Sequence, residues 1–295
     1  MAKLQGAFTA LVTPMFEDGS IDYEGWRKLI QLQLEGGISG LVPLGTTGET
    51  PTLDESPEEE KLIEIVVSEV KQYKEKLAKE GKPRDIPVIL GASSNNTKDA
   101  VKYVQRAKDM GADYALVVTP YYNKPSDEGI YRHFEAVSKV GMPIIVYNIA
   151  GRTGKNTKKS LLCRIEEIPN IAGVKEASGD INQMMDVIAK ISRKKPEFSV
   201  LSGDDGLTLP LIAAGGDGVI SVVSNIAPAL VTELVTKAIE GKFDEARDIH
   251  YRLLPFFKAA FVDGNPTSIK YAMNYKGLPA GGLRLPLVEV HEDAK

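Results

Sequence analysis

Short apolar runs recur along this chain at nearly even spacing, each followed by a polar turn and then a longer stretch of helical period. The runs are Ala7–Thr13, Gly40–Leu44, Pro87–Leu90, Tyr114–Val118, Pro143–Tyr147, Ile171–Val174, Phe198–Leu201 and Val219–Val222. They are dense in Val, Ile and Leu without polar alternation, the pattern of buried parallel strands covered on both faces. Gly36-Gly37, Gly111, Gly141 and Gly215-Gly216 stand where helices should close, because the left-handed C′ position favours glycine. Between them Asp22–Glu35, Pro57–Glu80, Thr97–Met110, Asp127–Val140, Thr157–Ile165 and Ile181–Ile191 read as helices. Eight strands alternating with helices predict an α/β chain, a (β/α)8 TIM barrel. A doubly wound open sheet is the competing architecture, but no Gly-x-Gly-x-x-Gly follows the first strand.

After Val222 the strand rhythm stops, and Pro228–Glu240, Phe243–Lys258 and Pro266–Tyr275 read as a small C-terminal helical appendage. Dividing 295 residues by a usual domain length of about 150 suggests two domains. Barrels of roughly 250 residues form one, so the expected division is a barrel over 1–225 carrying the active site and a helical domain over 226–295.

Composition narrows the chemistry. With 43% hydrophobic and 26% charged residues the chain is globular, not disordered or fibrous. A net charge of -4 and no basic run with interleaved aromatics disfavour a nucleic-acid partner. The first residues lack a continuous apolar h-region and no run reaches the roughly 18 apolar residues of a membrane span, so no membrane partner and a cytoplasmic location are expected. One cysteine, Cys163, cannot form an internal disulfide or a thiolate cage. None of His133, His250 and His291 falls at a predicted strand end, so no metal is expected. Magnesium ligation by Glu49, Glu176 and Asp204 would need carboxylates from neighbouring strands, and strand eight offers only Ser221.

In a barrel the active site lies where strands end. Lys175 stands at the mouth of the sixth strand. An ammonium against low-dielectric walls loses pKa, and the neutral amine is the nucleophile that forms a Schiff base with a ketone. The plainer alternative is a snorkelling lysine paired with Glu49 or Glu176. Tyr147, ending the fifth strand, supplies a phenol that can pass a proton to and from a carbinolamine, and hydroxyls such as Thr46 and Tyr122 can relay it. Each tyrosine taken singly also reads as a packed ring. Gly45-Thr46-Thr47-Gly48-Glu49 offers N–H groups and hydroxyls to a small carboxylate, or is an ordinary βα turn. Arg152 in Gly151-Arg152-Thr153-Gly154 suits a second carboxylate, or is a surface arginine. Asp204 and Asp205 are expected to cap the helix they precede.

Five segments together resemble the dihydrodipicolinate synthase family of pyruvate-dependent class I aldolases and N-acetylneuraminate lyases. They are Gly45-Thr46-Thr47-Gly48-Glu49, Thr119-Pro120-Tyr121-Tyr122-Asn123-Lys124-Pro125, Tyr147-Asn148-x-x-x-Arg152-Thr153-Gly154, Val174-Lys175-Glu176-Ala177 and Ser202-Gly203-Asp204-Asp205. The resemblance runs from about Gly6 to Pro286. It implies a carbon–carbon lyase of lysine and diaminopimelate biosynthesis that condenses pyruvate with aspartate semialdehyde through a covalent imine, with no separate cofactor. In that family's terms Lys175 forms the imine, Tyr147 is the general acid/base, and Thr46 and Tyr122 complete the relay, Tyr122 from a neighbouring subunit. Thr47 holds the pyruvate carboxylate, Arg152 binds the semialdehyde carboxylate, and the carbonyls of Gly203 and Ile220 lie beside the site. A homotetramer built as two tight dimers is also implied.

Three departures from the family pattern stand out. Ala150 replaces a usual proline, which bears on Arg152; Tyr121 and Asn95 match the family's allosteric site for lysine, but Pro51, Glu55 and Glu58 stand where lysine-sensitive members often carry other residues, including histidine; and little chain follows Pro286, which implies a smaller appendage. Two other readings stay open here: a superfamily aldolase acting on a keto-deoxy sugar acid or sialic acid, and a silent barrel that senses a small acid.

Overall fold

The computed structural model describes residues 3–295. Eight parallel strands are hydrogen-bonded in the order β2-β1-β8-β7-β6-β5-β4-β3: β1 Gly6–Ala10, β2 Gly40–Val42, β3 Ile89–Gly91, β4 Tyr114–Val118, β5 Ile144–Asn148, β6 Ile171–Glu176, β7 Ser199–Ser202 and β8 Gly218–Ser221. The seam between β2 and β3 is closed by a parallel bridge of Leu41 with Val88 and by bonds from Leu41 N to Pro87 O (3.0 Å) and Gly91 N to Pro43 O (3.0 Å). The result is the expected (β/α)8 barrel with helices between the strands and further helices at the C-terminal end.

All eight apolar runs become strands, the Tyr114–Val118 run unchanged and the others with at least one limit shifted by one to three residues. The helices are α1 Tyr23–Glu35, α2 Glu60–Lys79, α3 Thr97–Asp109, α4 Asp127–Ser138, α5 Ala150–Thr153, α6 Lys159–Ile165, α7 Ile181–Val187, α8 Thr208–Ala213, α9 Pro228–Ile239, α10 Phe243–Ala259 and α11 Thr267–Tyr275. Their starts follow side-chain chemistry: Asp22, Asn96, Ser126 and Asp180 each accept a bond from a first-turn N–H. Their ends follow glycine, with Gly111 and Gly141 at φ +84° and +75°, the left-handed region that other residues enter at a cost. The four-residue α5 and six-residue α8 have too few turns to give a clear helical period, so sequence reading does not resolve them.

Two apolar layers follow from the strand alternation. Val146, Val174, Val200 and Val219 face outward into the large core under the helices. Phe8, Ile89, Leu116, Ile145, Leu201 and Ile220 face inward and fill the barrel. Helix α9 lies on β1, β8, α8 and α10, so the first helix of the C-terminal segment completes the ring around the barrel. Among the described residues no helix is long and apolar enough to cross a membrane.

Candidate active site

With Val174 committed to the outer core, the period of two turns Lys175 inward at the last but one position of β6. Its register partner is Tyr147 on β5, and the Lys175 Nζ lies 4.1 Å from the centroid of that ring. Lys175 is 6% exposed. Burial pushes its pKa down from 10.5 to about 7; Asp205 opposes the shift and Arg152 adds to it. A large fraction of neutral amine is therefore present near neutral pH. Burial raises the Tyr147 phenol to about 12, so it stays protonated and able to donate.

Neither carboxylate considered as a partner for Lys175 is free to pair with it. Glu49 is bound to Lys270, whose Nζ lies 2.7 Å from its Oε1, both side chains being buried. Glu176 accepts from Asn148 Nδ2 and Gln183 Nε2, each at 3.0 Å, and from Ser178 N at 2.8 Å. The lysine is thus a desolvated amine and not half of an ion pair. Glu49, Glu176 and Asp204 do not converge, and no group of three or more metal-ligating side chains gathers among the described residues.

Gly203 presses on the same lysine. A Cβ there would lie 3.1 Å from Lys175 Cε and 2.6 Å from Ala177 Cβ, so glycine is required by close approach. Ile220 is buried in the barrel interior on β8. Asp205 departs from the capping expectation. Only Asp204 caps, accepting from Gly206 N at 2.8 Å. Asp205 turns inward, fully buried, and accepts from the Ser221 hydroxyl and from Val222 N at 2.9 Å, fixing the end of β8.

The Gly45–Glu49 segment forms a 3₁₀ turn at Thr46–Gly48. Gly48 N bonds Gly45 O at 3.0 Å, Thr13 Oγ1 donates to Gly48 O at 2.7 Å, and Glu49 leaves the turn at φ +58°. Thr47 is buried and Thr46 partly so. Arg152 projects from α5 and donates from Nη2 to the carbonyl of Asn265 at 3.0 Å. The Asn265 side chain in turn donates to Thr47 Oγ1 at 3.0 Å. Sequence reading missed Asn265, since an Asn-Pro pair between two helices looks like any turn; it missed Lys270 because its amphipathic helix does not advertise a fully buried cation.

Tyr122 is not brought to this cluster within one chain. It is 89% exposed, on a backbone at φ +67°, in a loop braced by Asn123 Nδ2 donating to Asn95 O at 2.9 Å. Glu55 is taken up by Lys102 and Tyr103, and Glu58 by Arg284.

Known proteins resemble this chain over nearly its whole length. A sequence model of the Dihydrodipicolinate synthetase family matches residues 3–295. The 4-hydroxy-tetrahydrodipicolinate synthase of Protochlamydia amoebophila is 50% identical over 98% of this chain and 93% of its own. The crystal structure of the Thermotoga maritima dihydrodipicolinate synthase superposes with a TM-score of 0.91 at 42% identity, covering 99% of this chain and 95% of that one. That of the Acinetobacter baumannii enzyme, described as chloride inhibited and complexed with pyruvate, gives a TM-score of 0.89 at 37% identity over 99% and 95% of the two chains. The chain belongs to the dihydrodipicolinate synthetase family.

Proposed function

We propose that this chain condenses pyruvate with L-aspartate 4-semialdehyde to 4-hydroxy-tetrahydrodipicolinate, the first committed step of lysine and diaminopimelate biosynthesis. The observation that carries the proposal is the buried, unpaired Lys175 amine over the Tyr147 ring. Near pH 7 that amine has a free lone pair and adds to C2 of pyruvate. Tyr147 passes the proton that converts the carbinolamine oxygen to leaving water, and Thr46, with Tyr122 of a neighbouring subunit, relays protons to solvent. Loss of a methyl proton from the imine gives an enamine, whose carbon attacks the aldehyde and takes its oxygen to a hydroxyl. The substrate's own amine then attacks the imine carbon, closing the ring and expelling Lys175 as free amine. One water leaves per turnover and no oxidant or separate cofactor enters the balance.

Thr47 is the residue we assign to the pyruvate carboxylate and Arg152 to the semialdehyde carboxylate, with the Gly203 and Ile220 carbonyls beside the imine. Arg152 favours this aldehyde over a neutral sugar aldehyde, because a guanidinium offers a carboxylate a charge-assisted bond. On this reading residues 1–225 carry the chemistry and the helical segment 226–295 braces it. The protrusion of Tyr122 supports its docking against a neighbouring subunit, and we assign the protein to a dimer of dimers in the cytoplasm.

The test is mass spectrometry after incubation with pyruvate and borohydride. The peptide holding Lys175 should gain a reduced pyruvyl adduct, and an unmodified Lys175 would falsify the mechanism. Turnover of aspartate semialdehyde against sugar aldehydes then fixes the acceptor.

A further inference from the structure

Resting on that reading, we propose that Asn265, on the loop between α10 and α11, is a positioning residue that aims the Thr47 hydroxyl proton at the pyruvate carboxylate. The Asn265 Nδ2 donates to Thr47 Oγ1 at 3.0 Å, and both residues are buried. A carboxamide nitrogen only donates, so with the amide set this way, which leaves Asn265 Oδ1 buried without a partner, the hydroxyl oxygen is the acceptor in this bond and its own proton points elsewhere. A buried hydroxyl whose oxygen is engaged and whose proton is given to no described residue is preset to donate to an incoming anion. The reverse polarity, hydroxyl to amide oxygen, would use up the proton that a carboxylate needs.

The contact is built, not incidental. The backbone carbonyl of the same residue accepts from Arg152 Nη2 at 3.0 Å, so one residue of the appendage touches the side chains assigned to both substrate carboxylates. Five residues on, Lys270 reaches Glu49, two residues after Thr47. The segment leading into α11 therefore grips the Gly45–Glu49 turn at two points. Its own loop is tied down by Ser268 N to Gly264 O at 3.0 Å and by Ser268 Oγ accepting from Asp263 N at 3.0 Å.

Two substitutions separate aiming from packing. Asn265→Asp keeps the shape but presents an acceptor, which captures the Thr47 proton and sets a negative charge beside an anionic substrate. Asn265→Ala removes both and leaves the hydroxyl free to turn. The readout is the pyruvate concentration that half-saturates borohydride trapping of Lys175, measured first in the wild-type protein. We expect a rise of about tenfold or more for Asp and only about threefold for Ala, with the limiting trapping rate little changed. A packing residue gives the opposite order, since Asp is the closer shape, so Ala as harmful as Asp overturns the proposal. A cycle with Thr47→Val decides the case in which Asn265→Asp melts below the assay temperature. Asn265→Ala should then add less than about twofold, and full additivity overturns the proposal. Absence of trapping in the wild type would instead sink the assigned reaction.

Discussion

Tyr147 and Lys175 are register partners across the β5–β6 ladder, and the lysine nitrogen sits 4.1 Å from the centre of the phenol ring. The face of an aromatic ring attracts a cation, by about 2 kcal/mol when both are desolvated. The buried Asp205 also favours the ammonium. Burial still wins, because a desolvated ammonium can lose 3–5 pKa units. The balance leaves both protonation states populated near pH 7, which an amine that must attack as a free base and leave after reprotonation requires.

Imine formation at low pyruvate should follow the neutral fraction of Lys175. With its pKa near 7, the trapping rate is expected to fall about tenfold per pH unit below ~6 and to level off above ~8. An unshifted lysine would keep gaining up to pH ~10. Rapid-quench trapping across pH 5.5–9.5 on ~unit steps checks this, and a rate still climbing steeply between pH ~8 and ~9 contradicts the buried-amine account.

The same shift makes Lys175 a stability cost. Between about pH 7 and 10.5 the unfolded chain binds a proton here that the folded chain does not, so stability rises with pH through that window. Below it the full cost persists. At ~1.4 kcal/mol per unit the shift amounts to several kcal/mol. Lys175→Met should abolish trapping yet unfold at higher urea than the wild type at neutral pH, with the gap narrowing as pH approaches 10. A variant no more stable than wild type would show that the site does not strain the fold.

Arg152→Ala should leave pyruvate trapping within about twofold, since the guanidinium is assigned to the second substrate. The KM for aspartate semialdehyde should rise by about tenfold or more, the scale of a lost charge-assisted bond. Steady-state kinetics with each substrate varied in turn separates the two. A larger effect on pyruvate than on the semialdehyde would move Arg152 to the other carboxylate.

The barrel was readable in the sequence because its strands are buried on both faces, so each appears as an uninterrupted apolar run closed by a turn. Lys175 was readable for the same reason: a cation directly after Ile171-Ala172-Gly173-Val174 has nowhere to go but the barrel mouth. Its lack of a partner was not readable, because Lys270, which occupies Glu49, lies 221 residues from it in sequence, and Asn148, which helps occupy Glu176, lies 28 residues from that one on another strand. Asp205 likewise looked like a cap until the fold placed Ser221 and Val222 beside it. Local pattern carries the periodic elements; the wiring between them is set by long-range contacts that leave no local trace.

The Lys270–Glu49 pair offers the sharpest stability prediction. Its ammonium is saturated by Glu49 Oε1 at 2.7 Å, Thr13 O at 2.9 Å and the Gly282 carbonyl, with essentially no solvent at either charge. Removing one partner of such a pair leaves an uncompensated buried charge and costs about 3–5 kcal/mol, whereas neutralising both costs far less. Lys270→Met should therefore lower the urea midpoint strongly, and Lys270→Met with Glu49→Gln should recover more than half of the loss. The single variant should also weaken pyruvate trapping, because Glu49 closes the turn that holds Thr46 and Thr47. Equilibrium unfolding of the two variants beside the wild type decides it: a double variant as unstable as the single one would mean that packing of the lysine stem, and not the buried charge, holds α11 to the barrel.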